Sequence, residues 1–300
     1  MNIVPVRQLD RIDQFLKSFT SANTRIAYEK DLRDYAAFCA TMDPISFSAL
    51  SQYRDFLIAA SAPSTVVRKF SAVKSFFSFL ASEGAIPFNP AMNLKVPRSR
   101  TLEPTEAFED HEVLKVIAAA DTSSFAGNMH RFALILLFNL GLRRSELVNL
   151  RLSSIREHRG TRFLSVIGKG DKCRMIPLSA YVIEELNAYL IRYHDFTKGE
   201  LKPQDFLLQA NSYEKNDNAL NPGTIYRLVK TYAKEAGVTK RVSAHSCRAT
   251  MISHLLEKGV SPRAVADLAG HSSIQTTVGI YDRKRDALTN TAAAKVSYEC

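Results

Sequence analysis

Cysteine is scarce in this chain. Its four residues, Cys39, Cys173, Cys247 and Cys300, are widely scattered with no C-x-x-C spacing, which argues against a zinc site and a disulfide framework and fits a reducing compartment. Long apolar runs are missing as well. The most apolar stretch, FALILLFNLGL from Phe132 to Leu142, is about half the roughly 20 residues that a bilayer requires and contains Asn139. It reads as a buried core helix, and no membrane partner is expected. The opening MNIVPVRQLDRIDQF lacks the apolar core of a signal peptide, so a cytoplasmic location is expected. There is no P-loop and no carboxylate cluster of the two-metal kind, so neither a nucleotide nor a metal is expected as cofactor. Internal repeats and low-complexity segments are also absent.

What is abundant is positive charge. The chain carries 40 Lys and Arg against 30 Asp and Glu, a net +10. The excess is shared, +4 before residue 105 and +6 after it. A basic tail would suggest tethering, whereas two moderately basic halves suggest two surfaces facing one polyanion, nucleic acid first of all.

The first part reads as about four helices. In SANTRIAYEKDLRDYAAFCA, Ile26, Leu32, Tyr35, Phe38 and Cys39 recur at helical spacing. SFSALSQYRDFLIAA is a second helix, and APSTVVRKFSAVKSFFSFLASEG a third, opening at Pro63 and closing at Gly84, on which Arg68, Lys69 and Lys74 can stand clear of the apolar face. Proline-rich, basic chain follows, with Val96 to Pro104 as a linker carrying Arg98 and Arg100. The second part opens with helices in EDHEVLKVIAAA, in the apolar stretch ending at Gly141, and in RRSELVNLRLSSI. TRFLSVIGKGDKCRMIPL then alternates as a strand hairpin around a Gly-Lys-Gly turn, after which the pattern is helical to the end. The fold class is therefore mainly α: a helical domain over 1–95, the linker over 96–104, an α+β domain with a small antiparallel sheet over 105–288, and a tail over 289–300.

Several residues are candidates for chemistry. His245 and Arg248, at i and i+3 in SAHSCRAT, share a helix face and can reach one ligand. Arg143 directly follows a helix that is apolar nearly all round, with Glu146 three residues on to hold its guanidinium; Arg144 competes for the role. Lys169, between two glycines, places a flexible cation at a turn tip, with Lys172 as the alternative. LAGHSSIQTTVGIYDRKR carries His271 and, ten residues later, Tyr281, a possible nucleophile.

In this order, Arg143, Lys169, His245, Arg248, His271 and Tyr281, the sequence resembles the tyrosine recombinase, or phage integrase, family, with SANTRIAYEKDLRDYAAF and APSTVVRKFSAVKSFFSFLASEGAIPFNPA similar to the core-binding domain of its Xer-type members. Two features depart from the Xer pattern: Ala249 stands where members often have His, and the interval from His271 to Tyr281 is one residue longer, as in integrase-like relatives. The resemblance implies that Tyr281 attacks a DNA phosphodiester and that the other five residues stabilise and protonate around it, without metal or nucleotide. It implies strand exchange through a Holliday junction by a homo-tetramer on duplex DNA, with accessory proteins as candidate partners, the two domains gripping the duplex and the tail docking on a neighbouring protomer. Arg25, Arg68, Lys69, Lys74, Arg98, Arg100, Lys172, Lys240 and Arg241 are the expected DNA contacts. The competing readings are a type IB topoisomerase, where lysine commonly replaces the histidine at 245, and a DNA-binding regulator without catalysis.

Overall fold

The computed structural model describes residues 11–96, 106–168, 170–199, 201–209 and 220–282, with only the backbone described at 281 and 282. The chain divides into two compact units, Met1–Pro104 and Thr105–Cys300.

The first unit is helical: α1 (Ile12–Lys17), α2 (Ala22–Phe38), α3 (Phe47–Ala60) and α4 (Pro63–Ser82). Serine oxygens start α2 and α3, Ser21 accepting from the Thr24 N–H and Ser46 from the Ala49 N–H, while Pro63 supplies the preset backbone angle that starts α4. Leu32, Tyr35, Leu50, Tyr53, Leu57, Phe70, Val73, Phe76 and Phe77 build its core. Ile26, grouped with the apolar face by spacing, is 66% exposed. It lies six residues before Leu32, about 240° away around the helix, whereas Leu32, Tyr35 and Cys39 follow the i, i+3, i+7 pattern of one face.

The second unit contains α5 (Asp110–Ala118), α6 (Phe125–Leu140), α7 (Arg144–Val148), β1 (Ile155–His158), β2 (Thr161–Ile167), β3 (Cys173–Pro177), α8 (Ala180–Thr197), α9 (Pro222–Glu235), α10 (Ala244–Glu257), α11 (Pro262–Ala269) and α12 (Ile274–Asp282). Its centre is α6, on which α8 and α10 pack; Leu134, Ile135, Leu136 and Leu137 are buried on consecutive positions, as an all-round apolar helix requires.

The sheet is antiparallel in the order β1-β2-β3. Its first strand corrects the helical reading of RRSELVNLRLSSI, which holds only for α7 and a single 3₁₀ turn, Leu152–Ser154. Three of the four β1 residues are exposed, so no alternation marks them. The strand is instead fixed by a two-residue turn in which Arg159 and Gly160 both take positive φ, the type I′ geometry that matches strand twist. The helical reading after the hairpin also fails between α8 and α9, where Asp205, Phe206, Leu207, Leu208 and Gln209 are buried without being helical. Tyr189 and Tyr193 on α8 donate to the carbonyls of Leu207 and Phe206 at 2.8 and 3.0 Å, supplying side-chain partners for this irregular backbone.

Candidate active site

Two helices end in glycine beside the same cluster of arginines. Gly141 closes α6 and Gly270 closes α11, both in left-handed conformation with φ of 58° and 66°. At Gly141 a Cβ would fall 2.2 Å from the Met251 methyl, so glycine is required twice over. The carbonyl of Gly141 accepts from Arg248 Nη1 at 2.6 Å, that of Ala269 accepts from Arg248 Nη2, and that of Gly270 accepts from Arg143 Nη2 at 2.7 Å. Helix C-termini are electronegative, and here their carbonyls brace two guanidiniums that would otherwise repel. Arg248 is 2% exposed, a charge carried on the buried face of α10. Burial first, then Arg143 and Arg174, pull it down to about 9 against the favourable pull of Glu146, leaving it cationic at neutral pH.

Glu146 on α7 is the buried carboxylate of this cluster. Its Oε1 accepts from Arg143 Nη1 at 2.6 Å, and its Oε2 accepts from the Arg143 backbone N–H at 2.8 Å. A third arginine, Arg174 on β3, grips both oxygens at 3.0 and 2.8 Å. Burial alone would raise Glu146, but these bonds outweigh it and hold the acid at about 2. Arg174 also donates to the Leu268 carbonyl at 3.0 Å, and its guanidinium packs where a Cβ on Gly270 would stand 3.1 Å away. The sequence reading missed this residue. The available signal was strand alternation: in CRMIP, Arg174 and buried Ile176 share the inward register, while Cys173 and Met175 are exposed, and a charge turned inward demands a partner.

His271 follows Gly270, half-buried, with Nδ1 2.8 Å from Oγ1 of the fully buried Thr277. Burial and then the charges of Arg248, Arg143, His245 and Arg174 hold it down to about 4, so its ring is neutral near pH 7. His245 is exposed in the first turn of α10, which Ser243 caps. Arg143, Arg174, Lys172 and His271 line one cleft of about 680 Å³ with Gly168, Gly170 and Thr276. The backbone at Tyr281 lies one turn beyond Thr277 on α12. Lys169 lies outside the described residues. Arg144 turns from the cluster, its guanidinium 5.9 Å from the Tyr226 ring centre on α9. Among the described residues no group of three or more His, Cys, Asp or Glu side chains is gathered as for a metal ion.

The expected DNA contacts divide into two kinds. Arg25 and Arg241 are exposed, and Lys172 lies in the cleft. Arg68 is ion-paired with the buried Asp31, Lys69 with Asp34 at 2.6 Å, and Lys240 with Glu112 at 2.6 Å, while Lys74 donates to the Met92 carbonyl at 3.3 Å. Arg98 and Arg100 lie outside the described residues.

Residues 106–287 match the phage integrase family, and residues 12–84 match its N-terminal SAM-like domain. The chain is 30% identical to tyrosine recombinase XerD of Listeria innocua over 89% of this chain and 92% of that protein. It is 32% identical to XerC of Myxococcus xanthus over 86% of each. Its fold resembles lambda integrase solved as a tetramer bound to a Holliday junction (TM-score 0.72, 20% identity, 95% and 80% covered). It also resembles XerH recombinase in a post-cleavage complex with its difH substrate (TM-score 0.67, 19% identity, 85% and 75% covered). The chain thus belongs to the phage integrase family of tyrosine recombinases, enzymes that cut and rejoin DNA strands.

Proposed function

We propose that Tyr281 is the nucleophile and that the arginine cluster is its transition-state site. The phenol loses its proton with help from His245, and its oxygen forms a bond to the scissile phosphorus. The bond from phosphorus to the 5′-oxygen breaks, and that oxygen takes a proton from Lys169. The products are a 3′-phosphotyrosyl link and a free 5′-hydroxyl; attack by a partner strand's 5′-hydroxyl reverses the step and exchanges strands. Because the phosphotyrosyl bond conserves the energy of the broken one, no nucleotide is consumed.

The observation that carries this reading is the charge imbalance at the cleft: three guanidiniums gather around one buried carboxylate, Arg143 and Arg174 bonded to it and Arg248 held by the carbonyls of Gly141 and Ala269. Charge developing on the nonbridging oxygens is what preorganised, desolvated arginines stabilise best. Arg143 and Arg248 would bind those oxygens, with a hydrogen bond from His271, and Glu146 would hold Arg143 in place.

The first unit would serve as the core-binding domain, offering Arg68 and Lys69 to the duplex, with residues 96–104 as a basic linker. Assembly would be tetrameric on the junction, as in the lambda integrase complex. Residues 289–300 would dock on a neighbouring protomer, and truncation after Leu288 is then expected to impair assembly. The protein would act in the cytoplasm; among the described residues no helix is long and apolar enough to cross a membrane.

The test is capture of covalent protein–DNA adducts from cells, with sequencing of the DNA and peptide mapping of the link. Adducts on Tyr281 at one or a few sequences are expected, and none with Tyr281→Phe. Adducts surviving that substitution would overturn the nucleophile assignment, and adducts dispersed over many sequences would overturn site specificity.

A further inference from the structure

The motif HSSIQTT contains a residue whose chemistry the reaction above leaves unused. Thr277 is fully buried on α12, and its hydroxyl lies 2.8 Å from Nδ1 of His271. Valine would fill the same space without a polar group to satisfy, and a buried hydroxyl left unpaired costs roughly 1–3 kcal/mol. The hydroxyl therefore has to be explained by its partner.

A threonine hydroxyl can give its proton to Nδ1 or accept one from an Nδ1–H. The charges around the ring restrict the choice. Arg248, Arg143 and Arg174, with His245, surround His271 and keep it neutral, so it holds one proton. These cations alone would favour turning a lone pair toward them. A neutral ring that is to bond an anionic phosphate oxygen must instead present an N–H. With Nδ1 engaged by Thr277, the nitrogen left for the cleft is Nε2, so Nε2 must keep the proton and Nδ1 must accept.

We propose that the Thr277 hydroxyl donates to Nδ1 of His271, fixing the Nε2–H tautomer and the ring's orientation, and so acts as a positioning residue. The same bond ties the histidine to the helix that carries Tyr281 one turn later. Movement of α12 as the nucleophile enters or leaves the site would then move the histidine with it. The inference rests on the reading of His271 as a contact to a nonbridging oxygen.

The test combines ¹⁵N NMR of histidine-labelled full-length protein with single-turnover cleavage of a nicked duplex. The wild type is expected to show a protonated Nε2 and an unprotonated Nδ1 at His271. Thr277→Val is expected to lose that single tautomer and to cleave about 10²-fold more slowly, the scale of removing one oxyanion donor, with DNA affinity and thermal unfolding near wild type. Thr277→Ser, which keeps the donor, should restore both signals. A protonated Nδ1 in the wild type, or a folded Thr277→Val protein that cleaves at the wild-type rate, would overturn the proposal. If the tautomers behave as expected but His271→Ala cleaves normally, the phosphate role of His271 fails, and the positioning role fails with it.

Discussion

The two units handle positive charge in opposite ways. In the first, two of the three cations of α4 are matched one to one with acids of α2, Arg68 with Asp31 and Lys69 with Asp34. In the second, Arg143 and Arg174 share one carboxylate, Glu146, and Arg248 is bonded only to helix-end carbonyls among the described residues. Pairing leaves a surface that can meet a phosphate backbone without strong local potential, which suits affinity. Imbalance in a desolvated pocket leaves positive potential waiting for an anion, which suits rate. The difference predicts which substitutions change turnover and which change only binding.

The largest effect is expected at Arg248. Arg248→Ala should slow cleavage by roughly 10³-fold or more, the scale on which an arginine stabilises a phosphoryl transition state, as read by single-turnover cleavage. Next is Arg174, which aligns Glu146 and hence Arg143. Arg174→Lys keeps the charge but loses the bidentate fork, and a small misplacement of the cluster should slow cleavage by about 10²-fold. Arg174→Ala should also lower stability by roughly 3 kcal/mol, because it removes one partner of a buried pair; the urea midpoint checks this.

Acid stability sharpens the same contrast. Glu146 is depressed to about 2, so its stabilising contribution is complete above its ordinary range near 4.5 and is lost as pH falls toward 2. His271, depressed to about 4, acts in the same direction, contributing above its ordinary value near 6.5 and less as pH falls toward 4. Glu146→Gln should therefore be less stable than wild type at pH 7, with a shallower loss between pH 5 and about 2.5, as followed by urea denaturation across that range. The smallest catalytic effect is expected in the first unit. Arg68→Ala with Lys69→Ala should leave cleavage at saturating DNA within about tenfold of wild type while reducing the salt slope of binding by up to about two.

These contrasts also explain what could be read from the sequence. The all-round apolar pattern before Gly141 announced a buried helix, and a glycine at its end placed Arg143 at the margin of the core. Glu146 was legible because its partner lies three residues away. Arg174 pairs across 28 residues, and Arg68 meets Asp31 across 37, separations at which no local period operates. Exposed β1 lacked a hydrophobic signature altogether. The choice between Arg143 and Arg144 was equally beyond spacing, since it depends on Gly270 and Tyr226, which are distant in the chain.

The most direct test of the central claim is the cleavage rate of Arg248→Ala on a nicked duplex at low salt, with DNA raised to saturation. If the cluster acts on the transition state, the rate stays roughly 10³-fold or more below wild type however fully the enzyme is bound. A rate that recovers to within about tenfold of wild type as DNA saturates would show that Arg248 serves binding alone, contradicting the account.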